Sequence, residues 1–309
     1  SFCINLILIT IPKSVNSIGD YAFHECEKLK FVIFSDKSSL MNIRDNAFSF
    51  CGNLKSIAIP KSVNSIGDYA FHECEKLKSV VFSNESSSTN IGNNAFSFCI
   101  NLILITIPKS VNSIGDYAFH ECKKLKSVIF SDKSSLMNIR DNAFSFCSNL
   151  ESIIIPKLVN SIGDYAFHEC KKLKSVIFSN ESSSTNIRNN AFSFCINLES
   201  ITIPKSVNSV EDYAFHKCKK LKFVIFSDKS SLMNIRDNAF SFCINLESIT
   251  IPKSVNSIGD YAFHECEKLK SVVFSNESSS TNIGNNAFSF CINLESITIP
   301  KSVNSIGDY

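Results

Sequence analysis

The sequence lacks tryptophan, has nine glycines and seven prolines in 309 residues, and carries a formal charge of only +2. None of the glycines falls in a G-x-G-x-x-G or G-x-x-x-x-G-K context, so the common phosphate-binding loops are excluded. The balanced charge excludes a global basic field that would attract nucleic acid or anionic lipid. Charged residues, 19% of the chain, interrupt every apolar run before it reaches the ~20 residues of a membrane-spanning helix.

Two further absences concern the start of the chain and its cysteines. There is no initial methionine and no basic segment followed by an apolar stretch, so no targeting signal is visible. The thirteen cysteines are an odd number and include no C-x-x-C pair, which argues against a closed disulfide framework and against a zinc site. What the chain does contain is 44% hydrophobic residues, which is enough for a packed core.

The positions of the prolines reveal an internal repeat. All seven are spaced by 48 residues, at Pro12, Pro60, Pro108, Pro156, Pro204, Pro252 and Pro300. Within each 48-residue unit the Ala-Phe pair recurs in alternating steps of 25 and 23 residues, and the loop sequences SDKSSLMN and SNESSSTN alternate with a period of 96. This phasing predicts one array over residues 1–309, built of 23- and 25-residue repeats and cut within a repeat at both ends.

The first half of each repeat has the pattern of a short strand. In the copy at 198–221, Leu198, Ile201 and Ile203 give the spacing L-x-x-I-x-I, with Ile201 and Ile203 on one face. Pro204 then ends the strand, because it has no N–H to join a ladder. Stacking such strands, of which there are thirteen when counted by their leucines, predicts a parallel sheet.

The second half of each repeat suggests a short helix. Ala214, Cys218 and Leu221 are spaced i, i+4, i+7, which predicts one helical turn with these side chains on its buried face. The position of a helix N-cap is taken by Asp212, and in other copies by Asp20, Asp45 and Asn93. We therefore expect an α/β solenoid with the sheet on its concave face and short helical turns and loops on its convex face.

The full pattern, L-x-x-I-x-I-P-x-x-V-x-x-I-G-x-x-A-F-x-x-C-x-x-L, resembles the BspA-like, treponemal-type class of leucine-rich repeats. That class occurs in surface proteins of anaerobic bacteria and parasitic protists, and the resemblance covers essentially the whole chain. It implies a leucine-rich-repeat solenoid, curved like a horseshoe, and a role in adhesion to host or matrix proteins or to other cells. The asparagine of the common leucine-rich repeat is replaced by Ser206 in one copy and by Lys229 or Glu181 in longer ones. We therefore expect no asparagine ladder between coils.

Cysteine and histidine both recur at one phase of the repeat. The cysteines, from Cys3 to Cys291, point into the predicted core, where a free thiol behaves as a small hydrophobe, although neighbouring ones are close enough for occasional disulfides. The six histidines recur every 48 residues, so equivalent ones lie two coils, roughly 10 Å, apart and cannot share a metal ion. We expect buried thiols, histidines at the exposed surface, and no metal or other cofactor.

Candidate contact residues lie at outward positions of the strands. A β-branched stripe follows the third outward position, and apolar residues enlarge it where sister copies have Glu or Ser. The candidates are Ile7, Leu8, Phe31, Ile33, Val81, Ile103, Leu104, Ile129, Phe223 and Ile225. Exposed apolar patches often mark interaction sites, whereas β-branched residues also occur in strands simply because they suit them.

Three sequons occur in the serine-rich loops, at Asn84, Asn180 and Asn276. They are acceptors for glycosylation only if a eukaryote exports the chain. Their regular recurrence also follows from duplication of one loop.

The sequence predicts a non-enzymatic protein-binding module, since evenly repeated residues form rows rather than a catalytic pocket. The leading hypothesis is a cell-surface adhesin or antigen that contacts a host or matrix protein, or a glycan, through the concave strand face. The alternative is an intracellular interaction scaffold, which free thiols and the missing signal sequence would suit. Localisation thus stays open between the cell surface or exterior and the cytoplasm. Because neither end has a capping sequence, we also expect end-to-end self-association.

Overall fold

A computed structural model of the chain describes residues 3–83, 90–179, 186–275 and 281–308. The chain forms two compact units, Ser1–Leu150 and Glu151–Tyr309, and in each of them one repeat is one coil of backbone. The sequons at Asn84, Asn180 and Asn276 lie outside the described residues. That the two units form one array stays a prediction.

Each coil begins with a long strand, as predicted. In the first unit these strands are β1 (Leu8–Ile11), β3 (Phe31–Phe34), β5 (Ser56–Ile59), β7 (Ser79–Phe82), β9 (Leu104–Ile107) and β11 (Ser127–Phe130). In the second unit they are β13 (Ser152–Ile155), β15 (Ser175–Phe178), β17 (Ser200–Ile203), β19 (Phe223–Phe226), β21 (Ser248–Ile251), β23 (Ser271–Phe274) and β25 (Ser296–Thr298). Within each unit successive long strands pair in parallel, which confirms the expected sheet. We call it the long-strand sheet.

A second, shorter strand follows in each coil, where the sequence indicated only irregular structure. In the first unit these strands are β2 (Ser17–Ile18), β4 (Asn42–Ile43), β6 (Ser65–Ile66), β8 (Asn90–Ile91), β10 (Ser113–Ile114) and β12 (Asn138–Ile139). In the second unit they are β14 (Ser161–Ile162), β16 (Asn186–Ile187), β18 (Ser209–Val210), β20 (Asn234–Ile235), β22 (Ser257–Ile258), β24 (Thr281–Ile283) and β26 (Val303–Ile306). They also pair in parallel with their neighbours, so each unit contains a second sheet.

The segment after the short strand, which we call the turn segment, is not helical. The prediction of a helical turn over 214–221 and its equivalents is therefore wrong. Its backbone N–H groups donate in turn to a carbonyl of the same coil and to one of the next coil. His72 donates to the Tyr69 carbonyl of its own turn at 3.0 Å, whereas Tyr69 donates to the Asn93 carbonyl of the next coil at 2.8 Å. Tyr69 and Glu73 have φ angles of 56° and 53°, in the left-handed region. A left-handed residue at every fourth position interrupts the i to i−4 bonding of an α-helix.

The residues expected to cap helices form a ladder between coils instead. Asp68 Oδ1 accepts the backbone N–H of Asn93 at 2.7 Å, and Asn93 Oδ1 accepts that of Asp116 at 2.8 Å. The same bond to the following coil is made by Asp20, Asp45 and Asp212. The predicted N-cap role is therefore wrong, and a ladder of aspartate and asparagine at this position was not expected from the sequence. The ladder occupies a different position of the repeat from the asparagine of common leucine-rich repeats.

The core of each unit is enclosed by the two sheets and the turn segments. Its phenylalanine rings stack from coil to coil, with centroids 5.3 Å apart between Phe48 and Phe71 and 5.2 Å apart between Phe71 and Phe96. Beside them the Cys99 thiol donates to the Phe71 carbonyl of the preceding coil at 3.2 Å. All cysteines are free and every one except Cys3 is buried, which confirms the expected buried thiols.

Candidate interaction surface

The outer face of the long-strand sheets exposes all ten apolar side chains singled out from the sequence. Their exposed fractions lie between 43% and 57%, at Ile7, Leu8, Phe31, Ile33, Val81, Ile103, Leu104, Ile129, Phe223 and Ile225. The alternation of strand side chains explains this exposure, since Val32 and Phe34 of β3 turn inward while Phe31 and Ile33 turn outward. Their role in binding is not decided by exposure and stays a prediction.

The register determines which of these side chains meet. In the first unit Leu8 lies opposite Phe31 on the neighbouring strand, and Ile33 follows two residues along the same face, so the three form one apolar patch. Leu104 instead lies between Ser79 and Ser127. The structure therefore clusters the residues around Phe31 and leaves Leu104 separate from them.

In the second unit Phe223 and Ile225 form one wall of a pocket of about 630 Å³. The pocket is lined by β19, β21 and the residues that follow them, including the loop 227–230. Its other lining residues include Asp228, Lys229, Ser248, Thr250, Pro252 and Lys253. An aromatic wall beside hydroxyl groups and charges of both signs suits a peptide or glycan better than a purely apolar ligand.

The loop that bounds this pocket is held in place by hydrogen bonds on both sides. Ser227 N–H and Oγ–H both donate to the Ile203 carbonyl of the preceding coil, at 3.2 Å each. The Ser254 hydroxyl of the following coil donates to the Ser230 carbonyl at 3.0 Å. A loop anchored in this way presents Asp228 at a fixed position next to the apolar wall, which lowers the entropic cost of binding.

Sequence reasoning named the apolar wall but missed the polar residues of the pocket. Asp228, Lys229 and Lys253 belong to loops, and a strand pattern gives no weight to loop side chains. An exact repetition in the sequence could have pointed to these loop residues. The twelve-residue segment FVIFSDKSSLMN occurs at 31–42 and again at 223–234 without a difference. That segment joins the exposed phenylalanine to the charged loop in both units.

The histidines lie on the turn side of the coils, across the core from the long-strand sheet, and are half-buried there. The expectation that they are exposed is therefore wrong. His72 Nδ1 lies 2.6 Å from the Ser97 hydroxyl, which in turn donates to the Asn94 carbonyl at 3.0 Å. Desolvation is the main cause that lowers the pKa of His72 below its usual value, against the opposing influence of Glu73. The imidazole thus connects neighbouring coils, and its burial disfavours the charged form.

Within the described ranges no three His, Cys, Asp or Glu side chains converge in a way that could hold a metal ion. The buried thiols have raised pKa values because burial disfavours the thiolate, to about 12 for Cys51 and about 11 for Cys291. As thiols rather than thiolates they are poor ligands and poor nucleophiles.

Comparison with known proteins identifies the family of the chain. Residues 1–102, 89–186 and 185–309 match the model of the BspA type leucine-rich repeat region (6 copies). The chain belongs to the BspA-type leucine-rich repeat family. No curated protein matches the chain. The part of this BspA-type protein that the structure describes contains no helix long and apolar enough to cross a membrane.

Solved structures of bacterial leucine-rich repeat proteins are similar to this BspA-type chain. A leucine-rich repeat protein from Bacteroides ovatus is 29% identical with a TM-score of 0.72, over 99% of this chain and 84% of that one. A leucine-rich cell surface protein from Faecalibacterium prausnitzii is 28% identical with a TM-score of 0.52, over 96% and 88%. The pneumococcal vaccine antigen PcpA shares the fold at 24% identity and a TM-score of 0.52, over 97% and 73%.

Proposed function

We propose that this chain is a non-enzymatic adhesin module that binds host or matrix proteins through the outer face of its long-strand sheets. The observation that carries the proposal is the exposed cluster of Phe223 and Ile225 beside the charged loop of the pocket. Burying one such apolar side chain against a partner contributes about 1.5–3 kcal/mol, so a few of them dominate an interface. The similarity to a bacterial cell surface protein supports the surface role.

The test uses substitutions that the repeat itself already tolerates. Serine occupies the position of Phe31 and Phe223 in sister strands, for example at Ser127, so the double variant Phe31→Ser, Phe223→Ser should fold normally. We expect beads coated with this variant to lose most of their adhesion to a panel of purified matrix proteins. The matched control is Met137→Thr, which removes an exposed apolar side chain from a loop and copies the Thr185 of a sister loop.

Unchanged adhesion of the double variant would reject the proposed face. Adhesion that is lost after deglycosylation of the matrix proteins would identify the partner as a glycan. Circular dichroism and the melting temperature of each variant verify that the fold is kept.

A second candidate function, an intracellular interaction scaffold, is favoured by the thirteen free cysteines. Free thiols persist most readily in a reducing compartment, although burial also protects them. Surface labelling of intact cells, or glycosylation at Asn84, Asn180 and Asn276, would support the adhesin. Recovery of the protein only in the cytosolic fraction would support the scaffold.

A further inference from the structure

The turn side of each unit carries a row of phenylalanines that the strand-side proposal leaves unexplained. They come from alternate coils, at Phe50, Phe98 and Phe146 in the first unit and Phe194, Phe242 and Phe290 in the second. Each is half-buried or exposed and has a φ between 56° and 60°. Within a unit, equivalent rings lie two coils, about 10 Å, apart. In the coil between two such rings the equivalent residue is acidic, with one exception.

The exception is Lys217, whose ammonium nitrogen lies 5.0 Å from the ring centroid of Phe194 and 5.3 Å from that of Phe242. Because the two rings are about 10 Å apart, a nitrogen at both distances lies close to the midpoint between them. Distances within about 6 Å allow a favourable cation–π interaction with each ring. The pair of rings therefore forms a receptor for an ammonium group, and in this coil the chain supplies the ammonium itself.

In sister coils, an equivalent pair of phenylalanine rings flanks Glu73, and another flanks Glu265. His72 lies 5.2 Å from Phe50 and 5.6 Å from Phe98, compared with 5.5 Å and 5.4 Å for His216 and its two phenylalanines. Around Glu265 the distances from His264 are 5.3 Å and 5.4 Å. Backbone φ angles of 53°, 58° and 54° at Glu73, Lys217 and Glu265 complete the match. The backbone of each glutamate thus has the same position relative to its two rings as that of Lys217.

Glu73 and Glu265 differ from the equivalent glutamates of other coils in the charge of a neighbouring residue. Glu121 and Glu169 are followed two residues later by a lysine whose ammonium lies 2.9 Å and 2.8 Å from their carboxylates. At Glu73 the corresponding residue is Glu75, and at Glu265 it is Glu267, so a second carboxylate takes the place of the pairing lysine. The carboxylate of Glu73 lies 3.4 Å from His72 Nε2, and that imidazole has a lowered pKa through desolvation.

We propose that the two clusters Phe50–Glu73–Phe98 and Phe242–Glu265–Phe290 each bind a lysine side chain of a basic partner protein. The two ring faces attract the ammonium group, and the paired carboxylates supply its counter-charge. The occupant is an ammonium, because the Lys217 side chain already occupies the equivalent position. A hard metal ion would require several oxygen ligands, which two phenyl rings do not provide. This surface lies across the core from the long-strand sheet, so it serves a second partner or a second contact.

The probe is a fluorescently labelled octalysine peptide, titrated into the full chain at low ionic strength, with octaglutamate as the negative control peptide. The double variant Glu73→Lys, Glu265→Lys copies the residue found at Lys217 and should keep the fold. We expect it to weaken octalysine binding at least about tenfold, since it fills both receptors with the chain's own ammonium groups. The variant Lys217→Glu, Lys219→Glu copies the residues found at Glu73 and Glu75, and it should strengthen binding by creating a third receptor.

A matched control separates the receptors from general electrostatic attraction. The double variant Glu151→Lys, Glu247→Lys makes the same change in net charge on the long-strand face, where the sister residue Lys55 is already basic. We expect its affinity for octalysine to remain within about twofold of the unmodified chain. An equal loss of affinity in both double variants would overturn the proposal, and so would an unmodified chain that does not bind octalysine.

The contribution of the phenylalanine rings to lysine binding can be measured separately by NMR. An ε-methylene group held between two phenyl rings experiences ring-current shielding, so the lysine ε-proton resonances should shift upfield on binding. The variant Phe98→Leu, Phe242→Leu keeps the bulk and the charges but removes one of the two ring faces from each cluster, and it should clearly reduce this shift. Binding without any upfield shift in the unmodified chain would reject the receptor geometry, whatever the affinity.

Discussion

At the scale of single residues, the cysteine thiols have chemistry that follows from their burial. The thiol of Cys122 donates to the Phe96 carbonyl at 3.2 Å, and desolvation raises its pKa far above the usual range. A reagent that attacks thiolates meets neither an accessible sulfur nor an ionised one. Cys3 differs, because its side chain is exposed.

We therefore predict that a thiol reagent labels Cys3 rapidly in the native protein at pH 8 and leaves the other twelve cysteines protected. In guanidinium chloride all thirteen should react. Mass spectrometry of the labelled peptides measures both states, and the variant Cys3→Ser provides the control with no rapid label. Rapid native labelling of several other cysteines would contradict the buried arrangement.

The second prediction at this scale concerns His216, whose pKa is lowered to about 4 by desolvation first, and then by Lys217 and His168. The unfolded chain takes up its proton near the ordinary pKa of about 6.5, whereas the folded chain does so only at lower pH. The contribution of His216 to stability is thus complete above about pH 6.5 and is lost as the pH falls towards 4.

Replacing Lys217 by Glu turns a cationic neighbour of His216 into an anionic one, so the pKa of His216 should rise. An NMR titration of the imidazole resonances measures the change directly. The control is Lys219→Glu, which makes the same change in charge at an exposed position two residues later. A pKa of His216 that responds equally to both substitutions would indicate a general effect of net charge.

The periodicity of the sequence predicted the buried residues well, because leucine, isoleucine and cysteine recur at the same positions of every repeat, and those positions face the core. The periodicity did not predict that the histidines are half-buried, because it does not show which side chain of the next coil forms a hydrogen bond with each of them. His72 becomes half-buried because Ser97 of the next coil offers a hydroxyl at hydrogen-bond distance. A residue's neighbour in the next coil is 23 or 25 positions away, and spacing within one repeat does not reveal it.

At the scale of elements, the ladder of aspartate and asparagine side chains secures the start of each turn segment. Asp68 illustrates it, since one carboxylate oxygen accepts the Asn93 N–H that no strand or turn partner takes. The other carboxylate oxygen accepts the Asn93 side-chain amide at 3.2 Å, so Asp68→Ala removes two hydrogen bonds. We predict that it lowers the free energy of unfolding by about 1–3 kcal/mol, at about 0.5–1.5 kcal/mol for each bond. Urea unfolding followed by circular dichroism measures it.

The matched control is Asp68→Asn, which keeps the accepting oxygen and copies Asn93 at the same position of a sister coil. Its free energy of unfolding should lie between those of the unmodified protein and Asp68→Ala, because the bond from the Asn93 N–H is kept and the bond from the Asn93 side-chain amide is lost. If Asp68→Asn were as destabilising as Asp68→Ala, charge rather than hydrogen bonding would explain the ladder.

The strands could be read from the sequence and the turn segment could not, for a physical reason. An L-x-x-I-x-I spacing has the two-residue period of a strand. In the turn segment the left-handed positions are taken by tyrosine, glutamate, asparagine and phenylalanine, whereas such conformations are usually signalled by glycine. The inter-coil hydrogen bond of Tyr69 to Asn93 holds the left-handed backbone in place, and the sequence of a single coil does not show that bond.

At the scale of the whole molecule, the segment that lines the pocket of the second unit also occurs in the first unit. Residues 31–42 and 223–234 are identical, and the serine, proline and lysine of the following coil are also shared. A difference occurs at Ala58, which corresponds to Thr250. The pocket residues predicted least well from sequence are thus present twice.

We predict that a monovalent partner fragment identified by the adhesion assay binds the chain with a stoichiometry of two. Either single variant, Phe31→Ser or Phe223→Ser, should reduce it to one, as measured by isothermal titration calorimetry. The Met137→Thr variant should keep two sites. A stoichiometry of one for the unmodified chain would contradict the prediction.

The direction of the hydrogen bonds between coils has a mechanical consequence. Within each unit the bonds between coils run along the stack, as in the ladder from Asp45 to Asp68 and on to Asn93. A force that pulls on one end of a unit therefore acts on the bonds of one coil at a time. Each released coil of 23 or 25 residues lengthens the chain by about 80 Å when extended. A module under shear at an adhesion site would in this way dissipate load in many small steps rather than rupture at once.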